Sequence, residues 1–296
     1  MTEIPASMVV KLRKITGQGM MDCKNALQEA NGDIDKAIQI LRKKGLAVLA
    51  KRADRETFEG TVITWESDDL RMGGLSVLRC ETDFVAKSDD FQDMVKYIRK
   101  SIQTSEKEEI DVKNPLEISV DGKTLGDRRT ELASKTGEKI ELVQKEYRKF
   151  YLPRDQPGLI RTYLHFNGKV GAMVEIWTNN DEVATSDVLK QTAFDIAMHI
   201  AATKPMALDK NELYECKPEI IEQEKAVYRE QVKDKPADMI EKIVEGKMKK
   251  FYTESCLLDQ LFVKDDSKTV AQVLAESAKQ AGGTAKINKF ERFDVG

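Results

Sequence analysis

The chain has 296 residues, 41% of them apolar and 33% charged, with 48 Lys/Arg against 51 Asp/Glu. That length holds about two ordinary domains, and so much charge suits several small helix-rich modules better than one large core. Apolar residues recur throughout, against disorder, while the run Gly45-Leu-Ala-Val-Leu-Ala50 falls far short of the roughly 18 residues of a membrane span. No signal-peptide core opens the chain, so a cytoplasmic protein with no membrane contact is expected.

The first fifty residues read as three short helices. Met8, Leu12 and Ile15 mark one apolar face, Cys23, Ala26, Leu27 and Ala30 a second, and Ile34, Ala37, Ile38 and Leu41 a third. Thr16-Gly-Gln-Gly19 permits a tight reversal, Asn31-Gly32 ends the second helix, Asp33 caps the third and Gly45 is expected to end it. Such a module is too small for a catalytic cleft. Lys51–Glu56 reads as a charged linker.

A duplication comes next. Pairing residue i with i+98 from Gly60 to Ile102 aligns 43 positions, of which ten are identical, among them Gly60/Gly158, Gly73/Gly171, Asp83/Asp181 and Val85/Val183. Chance at typical frequencies gives about three. Each copy opens with a predicted hairpin, Gly60–Trp65 with Gly74–Leu78 and Leu159–Leu164 with Ala172–Ile176. Each continues into a helix, carrying Phe91, Met94, Val95, Ile98 and Ile102 in copy one and Leu189, Ala193, Ile196 and Ile200 in copy two. Residues 103–157 form a spacer with a predicted helix at Gly126–Thr136 and a strand at Lys139–Arg148. In 206–262, two charged helices, Lys217–Lys233 and one begun by Pro236, carry narrow apolar seams and read as a protruding antiparallel hairpin. A last helix, Thr269–Ala281, and a strand, Ala285–Phe290, return the chain to copy two. The fold class expected is α+β.

Sites for chemistry are missing. Cys23, Cys80, Cys216 and Cys256 form no C-x-x-C pair, and His165 and His199 stand at no zinc-finger spacing from them, so free thiols and no metal are expected. No phosphate-binding glycine loop, nucleophile elbow or H-E-x-x-H helix occurs, so no cofactor and no enzyme is expected. Asp89-Asp90 point in different directions on a helix and make no acid/base pair. Residues 1–55 hold eleven Lys/Arg against six Asp/Glu, a basic end that an RNA-binding adaptor would use. Those residues contain no Phe, Tyr or Trp to stack on bases, which counts against it. The informative stretch is the junction Cys80-Glu-Thr-Asp-Phe-Val85, whose copy-two equivalent is Thr178-Asn-Asn-Asp-Glu-Val183. Phe84 is matched by Glu182, so position 84 faces solvent and its aromatic ring is either a contact or local packing; Asp83 suits a helix N-terminus and Val85 the core.

Leu12–Leu27, Glu81-Thr-Asp-Phe-Val-Ala-Lys87, Asp195–Ala202, Ile243–Phe251 and Phe290–Val295 resemble, in order, the translation elongation factor Ts family. The resemblance implies a guanine nucleotide exchange factor for the GTPase elongation factor Tu. It implies five regions: a ubiquitin-associated-like three-helix module at 1–54, core copy one at 55–140, copy two at 141–205, a helical coiled-coil insertion at 206–262, and 263–296 completing copy two. It assigns Thr82, Asp83, Phe84 and Val85 to dislodging Mg²⁺ from the partner's nucleotide site, and Leu12, Arg13, Met20, Met198 and His199 to further partner contacts. It implies no direct nucleic-acid contact, and it leaves a homodimer or a two-plus-two complex with the partner open. His199, read from its apolar helix face alone, is a buried, hydrogen-bonded core residue; the resemblance sets the contact role beside that reading. Some members continue beyond Val295 with a further helical module, and contacts made there are not carried over.

Overall fold

A computed structural model describes residues 4–104 and 114–296, with 237 and 238 placed by backbone alone. In chain order the first elements are α1 (Ala6–Thr16), α2 (Met20–Glu29), α3 (Ile34–Lys51), β1 (Glu59–Glu66), β2 (Met72–Cys80), α4 (Asp83–Ala86) and α5 (Asp89–Thr104). A short 3-10 turn leads to β3 (Ser119–Val120), β4 (Lys123–Thr124), α6 (Leu125–Thr136) and β5 (Glu141–Tyr151). Copy two continues with β6 (Gly158–Leu164), β7 (Val170–Thr178), α7 (Asp181–Thr185) and α8 (Asp187–Thr203). Then come α9 (Lys210–Cys216), α10 (Pro218–Gln231), α11 (Ala237–Ser255), β8 (Leu261–Phe262), β9 (Asp265–Thr269), α12 (Val270–Gln280) and β10 (Ala285–Asp294). Residues 105–113 of the spacer lie outside the described residues.

Two three-stranded antiparallel sheets, ordered β1-β2-β5 and β10-β7-β6, stack face to face. Strand alternation decides which side chain faces which layer. Val62, Leu75, Val77, Ile160 and Met173 fill the space between the sheets. Ile63 and Leu78 point the other way onto α5 and α6, and Ala172, Val174 and Ile176 onto α8 and α12. The result is a helix–sheet–sheet–helix stack. Its two halves meet through matched contacts: Val62 N–H donates to Gly168 O at 2.8 Å, and Ile160 N–H donates to Leu70 O at 2.7 Å. A Cβ on Gly73 would come within 2.5 Å of Ile160 Cγ2, and one on Gly171 within 2.6 Å of Val62 Cγ1. These glycines recur in both copies because the sheets touch there.

Three sequence expectations need correction. The boundary at 140/141 is wrong: β5 pairs with β2 through Arg79↔Glu141 and Leu78↔Leu142, and so closes the copy-one sheet as β10 closes copy two. Gly45 does not end the third helix, because it carries no turn geometry; it lets α3 lie against α6, where a Cβ would overlap the Thr130 carbonyl. The cut at residue 54 divides shared packing, since Val48 and Leu49, from the last turns of α3, lie against the copy-one core.

The duplication also runs further than the ungapped alignment reaches. Thr124 caps α6 by accepting Asp127 N–H, and Thr269 caps α12 by accepting Gln272 N–H. Each helix succeeds a small two-stranded ribbon and leads into the third strand of its sheet. In copy two, α10 and α11 form the helical hairpin between α8 and that ribbon, closed by Ile221, Val232, Val244, Met248 and Phe251.

Candidate functional site

Copy one's β2–α4 junction holds an apolar side chain out of a well-anchored backbone. Thr82 is the N-cap of α4, its hydroxyl accepting Val85 N–H at 3.4 Å. Phe84, the second helical residue, is 82% exposed. Asp83 heads the helix and pairs with Lys87 at 2.7 Å, which holds its carboxyl below the ordinary carboxylate range. Val85 packs partly against the copy-one core. Immediately upstream, the Cys80 thiol is buried and donates to Thr82 O at 3.2 Å. Burial, reinforced by the negative charge of Glu138, pushes that thiol up to about 12.

Two carboxylates outside the expected site brace this turn. Glu138, just past the C-terminus of α6, accepts from Glu81 N–H and Thr82 N–H at 3.1 Å each and from the Thr82 hydroxyl at 2.6 Å. Glu81 accepts from Lys139 N–H at 2.6 Å and from Arg52 at 2.5 Å. Arg52 caps α3, so the N-terminal module is tied to the junction. The module is seated on α6 by the Arg42–Asp127 ion pair at 2.6 Å and by Gln18 Nε2 donating to Glu131 O at 3.1 Å.

The family model for "Elongation factor TS" matches residues 81–296. Curated relatives named Elongation factor Ts include one from a Nitratiruptor species, 43% identical over 99% of this chain and 93% of its own length. Others come from Nautilia profundicola, 40% identical over 100% of this chain and 94% of its own, and Clostridium kluyveri, 39% identical over 99% and 93%. The chain belongs to the elongation factor Ts family. The family model begins at the junction, so the N-terminal module and the first hairpin are covered by the full-length relatives alone.

Of the residues this family resemblance nominated, Thr82, Asp83, Phe84 and Val85 stand together in one turn. Arg13 and Met20 are exposed on the N-terminal module. Leu12 is not a surface residue. It is fully buried with Val9, Cys23, Leu27 and Leu41, as its place on an apolar helical face dictates. His199 is likewise fully buried. Its Nδ1 accepts Val263 N–H at 3.2 Å, which leaves the proton on Nε2 to donate to Gln260 Oε1 at 2.9 Å. Burial outweighs that hydrogen bond and lowers its proton affinity below the ordinary imidazole value. Met198 is half-buried beside it. Both lie on α8, in the outer layer opposite the copy-one helices, so the structure does not bring them to Phe84.

His199 thus fixes the turn that carries Leu261, 53% exposed, and Val263, 46% exposed. Sequence reading singled out neither of these exposed residues, nor the bracing residues Glu138, Glu81 and Arg52. Phe166, 92% exposed at the β6–β7 turn, was missed as well. Among the described residues no group of three His, Cys, Asp or Glu side chains is arranged to hold a metal ion, and no helix is long and apolar enough to cross a membrane.

Proposed function

We propose that this chain is the guanine nucleotide exchange factor for elongation factor Tu in translation, acting in the cytoplasm, with the Thr82–Val85 turn as the element that disturbs the partner's nucleotide site. One observation carries the assignment of the site: an aromatic ring held out in solvent by a turn whose backbone is fixed from behind. An exposed Phe contributes nothing to folding, but on entering a partner's cleft it gains the roughly 1.5–3 kcal/mol of a buried apolar side chain.

Exchange needs differential binding. The factor must hold nucleotide-free partner more tightly than GDP-bound partner, and linkage then weakens GDP by the same ratio; about 4 kcal/mol of coupling is roughly a thousandfold. A rigid wedge suits this task because little of its binding energy is lost in ordering the turn. Disturbing the Mg²⁺ that neutralises the diphosphate unmasks repulsion in the partner's site, since a bound divalent ion is the largest local charge there. The factor needs no acid, base or nucleophile of its own. The N-terminal module, with Arg13 and Met20 exposed, extends the same partner surface.

The test is release of labelled GDP from elongation factor Tu, with and without this protein. Acceleration is expected, and Phe84→Ala is expected to slow the catalysed rate at least about tenfold, the lower end of the range given by its burial energy. The Phe84→Ala melting midpoint should stay within about 2 °C, because an exposed side chain is worth under roughly 0.5 kcal/mol to the fold. No acceleration by the wild-type protein refutes the exchange reading.

A further inference from the structure

The two copies are built on one plan, so a difference between them at equivalent positions isolates what copy one does and copy two does not. Register fixes the equivalence around the junction. Leu142 faces Leu78 in copy one and Ile287 faces Ile176 in copy two, and counting back from these pairs sets Glu138 opposite Gly283. Gly137 and Gly282, the residues just before them, both adopt left-handed backbone at their helix ends, with φ of +71° and +88°. A left-handed glycine at the equivalent position thus follows both α6 and α12.

The next residue breaks the likeness. In copy one, Glu138 reaches across and takes three donors from the junction, Glu81 N–H, Thr82 N–H and the Thr82 hydroxyl. In copy two, Gly283 has no side chain, and a Cβ there would collide with Asn179 Oδ1. Both junctions share one tie, Lys139 N–H donating to Glu81 at 2.6 Å in copy one and Thr284 N–H donating to Asn179 Oδ1 at 2.7 Å in copy two; where copy one adds the Glu138 clamp, copy two has only Asn179 N–H donating to Thr284 O at 3.2 Å. Each junction still caps its short helix, through Thr82 in copy one and Asn180 in copy two. The carboxylate clamp is thus not a requirement of the shared fold. It occurs in the copy that carries Phe84 and is missing from the copy that carries Glu182.

We infer that Glu138 is a positioning residue for nucleotide exchange: its carboxylate fixes Thr82 and thereby the direction in which Phe84 leaves the surface. Thr82 is the relay. Its hydroxyl donates to Glu138, which directs the oxygen's lone pairs toward Val85 N–H, so the clamp sets the first turn of α4 on which Phe84 rides. Charge-assisted bonds from one acceptor to three donors are stronger than neutral ones and hold an angle as well as a distance. Because α6 also seats the N-terminal module, one helix orients both parts of the partner surface.

This inference rests on the exchange reading, and a double-mutant cycle separates the two. Catalysed release of labelled GDP from elongation factor Tu is measured for Glu138→Ala, Phe84→Ala and the double variant, beside thermal melts of each. Glu138→Ala should slow release about tenfold, as when about 1.4 kcal/mol of wedge alignment is lost. The double variant should be no slower than Phe84→Ala within about twofold, since neighbours acting through one group are not additive. Glu138→Gln, whose amide oxygen still accepts from the backbone, should recover most of the rate.

Full multiplicative slowing in the double variant would overturn the inference, because Glu138 would then act independently of Phe84. So would a Glu138→Ala rate that returns to wild type on cooling below its own melting transition, which is the mark of a purely structural residue. Should Glu138→Ala fail to fold, Thr82→Val, which removes the relay hydroxyl alone, carries the same cycle with the same expectations. Normal dependence on Phe84 with no effect at Glu138 or Thr82 refutes the clamp alone. No effect of Phe84→Ala refutes the wedge and the clamp together.

Discussion

His199→Ala distinguishes a core histidine from a contact residue, and its cost comes from the groups it leaves behind. Removing the imidazole, which has no solvent exposure, deprives the partly buried Val263 N–H of its acceptor and the buried Gln260 Oε1 of a donor. An abandoned buried donor costs about 1–3 kcal/mol, and the space vacated beside Phe262, whose ring centroid lies 5.8 Å away, adds a cavity penalty. About 3 kcal/mol in all corresponds to a midpoint lower by about 6–12 °C for a domain of 150–250 residues. Acid should act in the same direction. A histidine whose proton affinity is depressed by folding contributes stability that is complete above the unfolded value, near 6.5, and is lost as pH falls through the lower folded value. His199→Asn places an oxygen near the Nδ1 position and cannot take up a proton. Between pH 7.5 and 5.5 the wild type should therefore lose more stability than His199→Asn, by up to about 1.4 kcal/mol per pH unit below the unfolded value. Identical pH dependence would refute the linkage. An unchanged His199→Ala midpoint with weakened affinity for elongation factor Tu would refute the burial argument and make His199 a contact.

The packing makes further outcomes testable. Gly73→Ala and Gly171→Ala should each destabilise by about 1–3 kcal/mol through overpacking between the sheets, and a denaturant midpoint unchanged in either would mean that the sheets part easily there. Deleting residues 1–54 removes Val48 and Leu49 from the copy-one core, so the melt should stay cooperative but shift down by several degrees; a non-cooperative melt would show that the sheet stack needs α3 to fold. Iodoacetamide at pH 8 should alkylate Cys216 alone in the native protein, since Cys23, Cys80 and Cys256 are buried and burial raises Cys80 and Cys256 further. Mass spectrometry showing rapid modification of Cys80 would contradict the closed junction.

The hairpins, the long helices and the helical insertion were legible because each carries a local signal: short apolar runs bounded by turn residues in β1 and β2, which are covered on both faces, and three-and-four spacing in α5 and α11. Phe84 was legible for a different reason, since duplication supplied Glu182 as an internal control on exposure. Leu12 and His199 show the limit of family motifs. Both lie within recognisable segments, yet Leu12 falls on the same helical stripe as Met8 and Ile15, and His199 sits between Ile196 and Ile200 on the buried side of α8. Periodicity placed them inside, and the structure agrees with periodicity. Glu138 carried no local signal at all. A glutamate after a helix-ending glycine is ordinary, and its partners lie more than fifty residues earlier. Its significance needed the strand register that pairs it with Gly283, and the helical insertion in copy two hides that register from an ungapped comparison.

The same duplication explains how one chain separates stability from action. Contacts that obey the internal symmetry, Val62 with Gly168 and Ile160 with Leu70, join the two sheets and serve both halves alike. A self-complementary contact of this kind constrains both copies at once, because a change in either sequence disturbs the shared seam. Positions at the far ends of the copies escape that constraint. There the chain can place Phe84 against Glu182, or Glu138 against Gly283, without disturbing the joint. On the proposed reading, the activity that needs a rigid, solvent-facing ring sits at the outer junction of one copy, braced by the helix behind it. The inter-sheet core, where any asymmetric side chain would have to displace its own counterpart, is left to hold the fold.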